Sequence, residues 1–186
     1  FRPDIIILLN GMPLSFIEVK KPNNPDGVLA EHTRMIKRFR NRKFRNFINI
    51  TQFMVFSNNM EYDDTTPNPI QGAFYSSTSY DKPVFNYFRE EESFNLEDIL
   101  INVGDDTEDG ILIDNNLSSI KNSSDYITNK NPNSPTNRIC TSLYKKDRFL
   151  FLLDYALTYV DYNTGLQKHI MRYPQIFATK AIKANL

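Results

Sequence analysis

Asn10-Gly11 sits between two apolar stretches, Ile5-Ile6-Ile7-Leu8-Leu9 before it and Leu14-Ser15-Phe16-Ile17-Glu18-Val19 after it. Asn-Gly is the pair that most readily takes positive φ at both corners of a two-residue loop, and β-branched and aromatic residues suit the strands on either side. The first twenty residues are therefore committed to an antiparallel β-hairpin, closed by Pro22.

After a loop at 23–27, the segment 28–47 carries Leu29, Met35, Ile36, Phe39 and Phe44 at roughly helical spacing among many Lys and Arg, which predicts an amphipathic helix with a basic face. Gln52-Phe53-Met54-Val55-Phe56-Ser57 reads as a buried strand ended by Asn58-Asn59. Asp, Thr, Pro and Ser dominate 62–82, where only Ile70 to Tyr75 has strand character. Short helices are expected over 94–103 and 110–120, and the Asn-, Ser- and Pro-rich stretch 121–136 reads as a linker. Beyond it 138–144, 146–160 and 170–185 are expected to be helical. The middle one rests on Phe149, Leu152, Leu153, Ala156, Leu157 and Val160 recurring on one face.

The expected fold is α/β, a mixed sheet flanked by helices with a C-terminal α-helical extension. Its expected division is a core over 1–120, a linker over 121–136 and a helical segment over 137–186. A chain of 186 residues supports one main core and a small added layer.

Lys+Arg and Asp+Glu are equal at 22 each, so overall charge selects no nucleic-acid, membrane or acidic partner, and only the distribution of charge can do so. Cys140 is the single cysteine, which excludes an internal disulfide and, without any apolar run of bilayer length, leads to the expectation of a cytoplasmic protein with no membrane partner. Cys140 has no base beside it in sequence and reads as a buried thiol. His32 and His169 are too isolated for a metal cluster, and no phosphate-cradling Gly-rich loop for ATP is present. The aromatic residues Tyr144, Tyr155, Tyr159, Tyr162, Tyr173, Phe149, Phe151 and Phe177 are expected to be packing residues.

Chemistry concentrates at the hairpin. Asp4 opens the first strand, and Glu18 and Lys20, two apart on the second, share one face of its pleat. Hydrolysis of a phosphodiester calls for a hard divalent cation, and carboxylate oxygens are the ligands that Mg²⁺ prefers. Asp4 and Glu18 are candidate ligands, with the Val19 backbone carbonyl as a third. Lys20 is placed to orient a water and to stabilise charge on the phosphate.

Arg2-Pro3-Asp4, the apolar strand, Asn10-Gly11-x-Pro13-Leu14 and Phe16-Ile17-Glu18-Val19-Lys20-Lys21-Pro22 together resemble the nuclease motifs of the R (HsdR-type) subunit of type I restriction enzymes. Residues 52–58 resemble the core strand that follows in that family, and 168–178 resemble the segment just before its helicase motor. The resemblance implies a restriction-endonuclease-like fold of PD-(D/E)XK type and a Mg²⁺-dependent, type I site-specific deoxyribonuclease acting on double-stranded DNA. It further implies assembly with methylation and specificity subunits, and use of ATP only through a motor lying outside this sequence. The chain is accordingly expected to be part of a longer subunit. It departs from the family at the helix after Glu18-x-Lys20, where Glu31 to Phe39 stands in place of a Gln-x-x-x-Tyr element and Arg34 or Arg38 is the candidate replacement.

Arg34, Lys37, Arg38, Arg42 and Lys43 are the candidate DNA-contacting residues, because Lys and Arg on one face neutralise phosphates irrespective of base sequence. The same run also fits a solvated helix face. Two competing functions remain at this level: a DNA-binding or motor-docking module that does not cleave, and an interaction domain whose basic helix meets an acidic protein.

Overall fold

The computed structural model describes residues 2–22, 27–62, 65, 71–80, 83–93, 95, 99, 101 and 103–186. The expected hairpin is β1 (Ile5–Leu9) and β2 (Met12–Val19), antiparallel, with Asn10 at φ 49° and Gly11 at φ 80° as the sequence requires. Helices α1 (Gly27–Arg40) and α2 (Arg45–Ile50) then carry the chain across to β3 (Phe53–Ser57), which pairs parallel with β2. The single helix expected over 28–47 is divided at Asn41, whose side chain accepts from the Lys43 N–H and starts a short 3₁₀ turn, Arg42–Phe44. An Asx side chain that bonds its own following backbone competes with helix continuation, and here it breaks the run.

β4 (Ala73–Ser77) and β5 (Asn86–Tyr87) complete a sheet of order β1-β2-β3-β4-β5 among the described residues. β4 lies slightly beyond the expected 70–75, and most of the helix expected over 94–103 falls outside the described residues. One parallel pairing among antiparallel ones makes the sheet mixed, and helices lie on both faces, as in a restriction-endonuclease-like α/β fold. β3 is buried along its whole length because both faces are covered, which is why it reads as an unbroken apolar run.

Alternation along β2 and β3 sends side chains to two cores. Phe16, Met54 and Phe56 meet Met35 and Phe39 of α1 and Ile48 of α2. Ile17, Phe53, Val55 and Tyr75 meet the C-terminal elements: Ile139 and Leu143 of α5 (Pro135–Tyr144), Phe151 of α6 (Lys146–Phe151), Leu152, and Ile176 and Phe177 of the last helix, Tyr173–Ala184. Residues 137–186 thus supply the second covering layer of the same sheet.

Two sequence expectations are corrected here. The stretch 121–136 contains a helix, Ser124–Lys130, which follows α3 (Asp105–Asp114) and becomes α4, with α5 starting at Pro135. Its polar residues act as caps and bridges: Ser123 caps α4, Asn129 accepts from Asn59, and Thr136 donates to Ser57. The helix expected over 146–160 ends at a π turn, Leu152–Ala156, and continues as the hairpin β6 (Leu157–Tyr162) and β7 (Gly165–Ile170). Thr158, Tyr159, Val160 and Tyr162 are β-branched or aromatic, and Gly165 takes φ 110°. The apolar spacing was compatible with either period, and pairing with β7 selects the strand. The last helix, now α7, consequently begins at Tyr173, with Pro174 in its first turn.

The C-terminal layer is tied to the N-terminal one by buried charge. Lys168 of β7 is buried and donates to the carbonyls of Ile48 (2.6 Å), Asn49 (2.9 Å) and Thr51 (2.5 Å) at the end of α2. Burial pushes its ammonium down to about 8. Arg148 of α6, also buried, donates to Glu90 and Glu92, and Lys180 of α7 reaches the same Glu92. Among the described residues no helix is long and apolar enough to cross a membrane.

Candidate active site

The end of β2 carries the site. Glu18 lies on the α1-facing side of the strand with Phe16, where it is only 2 % exposed. The Lys20 N–H donates to the Ser57 carbonyl (2.8 Å), extending the β2–β3 pairing one residue past the strand and holding Lys20 on the same side as Glu18. Asp4 stands just before β1, and the register that pairs Ile5 with Ile17 brings it alongside. Its Oδ2 accepts from the Val19 N–H at 2.8 Å. Val19, whose carbonyl was a candidate ligand, is thus tied to Asp4 through its N–H.

The parallel crossover lays α1 over this end of the sheet, and two of its residues, with Lys20, close on Glu18. Arg38 Nη1 is 3.5 Å from Glu18 Oε1, and Arg34 Nη2 and Lys20 Nζ are each 3.6 Å from Oε2. Glu31 is buried beside them, accepts from Arg34 Nε at 2.6 Å and lies 3.8 Å from Lys20 Nζ. Three carboxylates, Asp4, Glu18 and Glu31, thus meet three cations, Lys20, Arg34 and Arg38.

The balance does not satisfy Glu18. Burial, then Asp4 and Glu31, raise its pKa from the usual carboxylate value against the opposing effect of Lys20 and Arg38. Its Oε1 is buried without a hydrogen-bond partner. A buried carboxylate oxygen kept in this state is costly to the fold, and a cation is the partner such an atom suits.

Of the residues singled out in the sequence, Asp4, Glu18, Lys20, Arg34 and Arg38 come together. Lys37, Arg42 and Lys43 stay exposed outside the cluster. His32, half-buried, packs edge-on against Phe85 at 4.1 Å, and burial lowers its pKa. Cys140, expected to be buried, is partly buried against the core, and burial pushes its thiol up to about 12. Tyr144 and Phe149 join the core as expected, whereas Tyr155, Tyr159 and Tyr162 remain about half exposed.

Sequence reasoning missed Glu31. The signal was present: it lies on the stripe of Met35 and Phe39 at helical spacing, so a carboxylate interrupts an otherwise apolar buried face directly above Glu18.

The donor set fits a hard divalent cation in kind: two carboxylates flanking one strand end, one of them with an orphaned oxygen. Among the described residues no three His, Cys, Asp or Glu side chains are gathered closely enough to form a metal cage by themselves.

A mixed sheet with helices on both faces is the architecture of the restriction-endonuclease-like α/β class, and here Asp4, Glu18 and Lys20 meet where the edge hairpin β1–β2 borders β3. Residues 1–67 match the family model of the type I restriction enzyme R protein N terminus, which supports an HsdR-type N-terminal domain for this part of the chain. The matched span holds every residue of the cluster. No curated protein and no solved structure matches the chain.

Proposed function

We propose that the chain is the nuclease part of a type I restriction R subunit and hydrolyses DNA phosphodiester bonds in a Mg²⁺-dependent reaction. The observation that carries this reading is the buried Glu18, with an unpartnered oxygen, beside Asp4 and Lys20 at the end of β2. Asp4 and Glu18 would hold the metal, with the Val19 carbonyl as a further oxygen. When bound, a divalent cation supplies charge neutralisation at the scissile phosphate and a lower pKa for an attacking water.

The chain's own residues do the rest. Lys20, partly exposed and less than 4 Å from both Glu18 and Glu31, presents its ammonium where a water and a phosphate oxygen would meet. The β2–β3 pairing fixes it there through its backbone. Lys37, Arg42 and Lys43, exposed on and just after α1, offer sequence-independent phosphate contacts whose contribution weakens with salt. Double-stranded DNA and the methylation and specificity subunits are the partners of this proposal.

A second reading is a DNA-binding or motor-docking module that does not cleave, and the stretch Glu31 to Phe39 standing in place of a Gln-x-x-x-Tyr element favours it. Nicking of supercoiled plasmid by the R subunit in its complex separates the two. On the nuclease reading Glu18→Ala and Lys20→Ala abolish Mg²⁺-dependent cutting and leave DNA binding intact, while unchanged cutting by both variants leaves only the binding module.

A further inference from the structure

Arg34 and Arg38 occupy one face of α1 a single turn apart, and both point at carboxylates. Arg34 is shared between Glu31 and Glu18, and Arg38 meets Glu18 Oε1, the oxygen without a hydrogen bond. The contacts to Glu18 are 3.5 and 3.6 Å, ion-pair distances longer than a hydrogen bond, whereas Arg34 is firmly hydrogen-bonded to Glu31 through Nε. Arg34 and Arg38 retain 43 % and 26 % exposure, so both have room to turn outward, while Glu18 is fixed in the sheet.

Charge counting gives this arrangement a consequence. With Asp4, Glu18 and Glu31 against Lys20, Arg34 and Arg38, the cluster is already neutral. A divalent cation added without other change would leave two uncompensated positive charges in a half-buried site.

We infer that Arg34 and Arg38 are exchangeable counter-ions of Glu18: they hold its carboxylate when no metal is bound and swing from it to the DNA phosphodiester when a divalent cation takes their place. Glu31 is the positioning residue that keeps Arg34 at the site throughout the exchange. No bond is made or broken in this step, only ion pairs are traded. The metal displaces two cations from Glu18, and the phosphate, an anion, receives them. The site is thereby biased against metal in the absence of DNA and toward it when DNA is present. The inference rests on the nuclease reading and adds a coupling between metal and DNA that this reading does not require.

The test is binding of Mn²⁺, measured by electron paramagnetic resonance on the 186-residue chain, for wild type, Arg34→Gln, Arg38→Gln, Arg38→Lys and Glu18→Ala, with and without a short non-cleavable DNA duplex. Loss of one counter-charge a few ångströms from the carboxylate should tighten Mn²⁺ binding by about tenfold in each Arg→Gln variant without DNA. Arg38→Lys, which keeps the charge, should remain near wild type. DNA should tighten Mn²⁺ binding in wild type and do so less in the Arg→Gln variants. Both arginines are partly exposed, and circular-dichroism melting checks that the variants fold. Equal or weaker Mn²⁺ affinity in folded Arg34→Gln and Arg38→Gln overturns the exchange and leaves the nuclease reading standing. Mn²⁺ affinity unchanged by Glu18→Ala removes the nuclease reading itself, and the exchange with it.

Discussion

Replacing Glu18 by Gln should stop catalysis and, at neutral pH without metal, leave the fold as stable as wild type or more so. Glu18 is almost fully buried and its Oε1 lacks a hydrogen bond, a defect that costs about 1–3 kcal/mol. Against this stand ion pairs to Lys20, Arg34 and Arg38, all partly exposed and all at 3.5 Å or more, each worth about 0–1 kcal/mol. Gln removes the buried charge and keeps the shape, so the variant is expected between neutral and about 2 kcal/mol more stable. The pH dependence follows from the raised pKa. The ionised form is disfavoured in the folded state, so the penalty is fully present above the folded pKa and disappears as pH falls through that value toward the unfolded one. The advantage of Glu18→Gln should therefore be largest at pH 7.5 and fade on acidification. Urea unfolding in EDTA followed by circular dichroism, at both ends of that range, reads it directly. A loss of about 3 kcal/mol or more at pH 7.5 would refute the reasoning, because that is the behaviour of an ion-pair hub built for stability.

Asp4→Ala, at an exposed position outside both cores, removes the acceptor of the Val19 N–H and should cost about 0.5–1.5 kcal/mol, while lowering plasmid cutting by about 100-fold or more through loss of a proposed metal ligand. Lys168→Met leaves carbonyls at the end of α2 without their donor and should cost about 3 kcal/mol in urea unfolding. Because the folded ammonium titrates near 8, below its unfolded value, the cost of burying its charge is present at neutral pH and is relieved as pH rises. The deficit of Lys168→Met relative to wild type should therefore widen between pH 8 and 10. Leu152→Ala empties a fully buried position in the core shared by β3 and the C-terminal helices. It should cost about 2–5 kcal/mol and lower the unfolding midpoint reported from residues before and after position 121 equally; two separate transitions would show that the halves fold independently.

Local chemistry made the N-terminal third legible. Asn10-Gly11 can be little other than a tight turn, β2 is an apolar run buried on both faces, and an Asp, a Glu and a Lys at these spacings need only the hairpin to meet. The basic run was legible as a helix but not as a set of roles. Helical rotation alone turns Arg34 and Arg38 toward Glu18 and leaves Lys37 outside, and which face of α1 meets the sheet is decided by Met35 and Phe39 seeking Phe16 and Phe56.

Tertiary structure decided the remainder. Residues 157–160 satisfy a helical apolar period and a strand alternation equally well, and only a partner strand, itself held on β4 through Ser77 and Lys168, settles the matter. The stretch 121–136 is polar enough to be a linker, yet its Asn129 and Thr136 side chains find long-range partners at Asn59 and Ser57, which no local pattern announces. Glu31 joins the site for the same reason. The hydrophobic effect orients whole faces and hydrogen bonds act over a few ångströms, so turns and strand faces are written in neighbouring residues, whereas the company a side chain keeps across the fold is set only when the faces close.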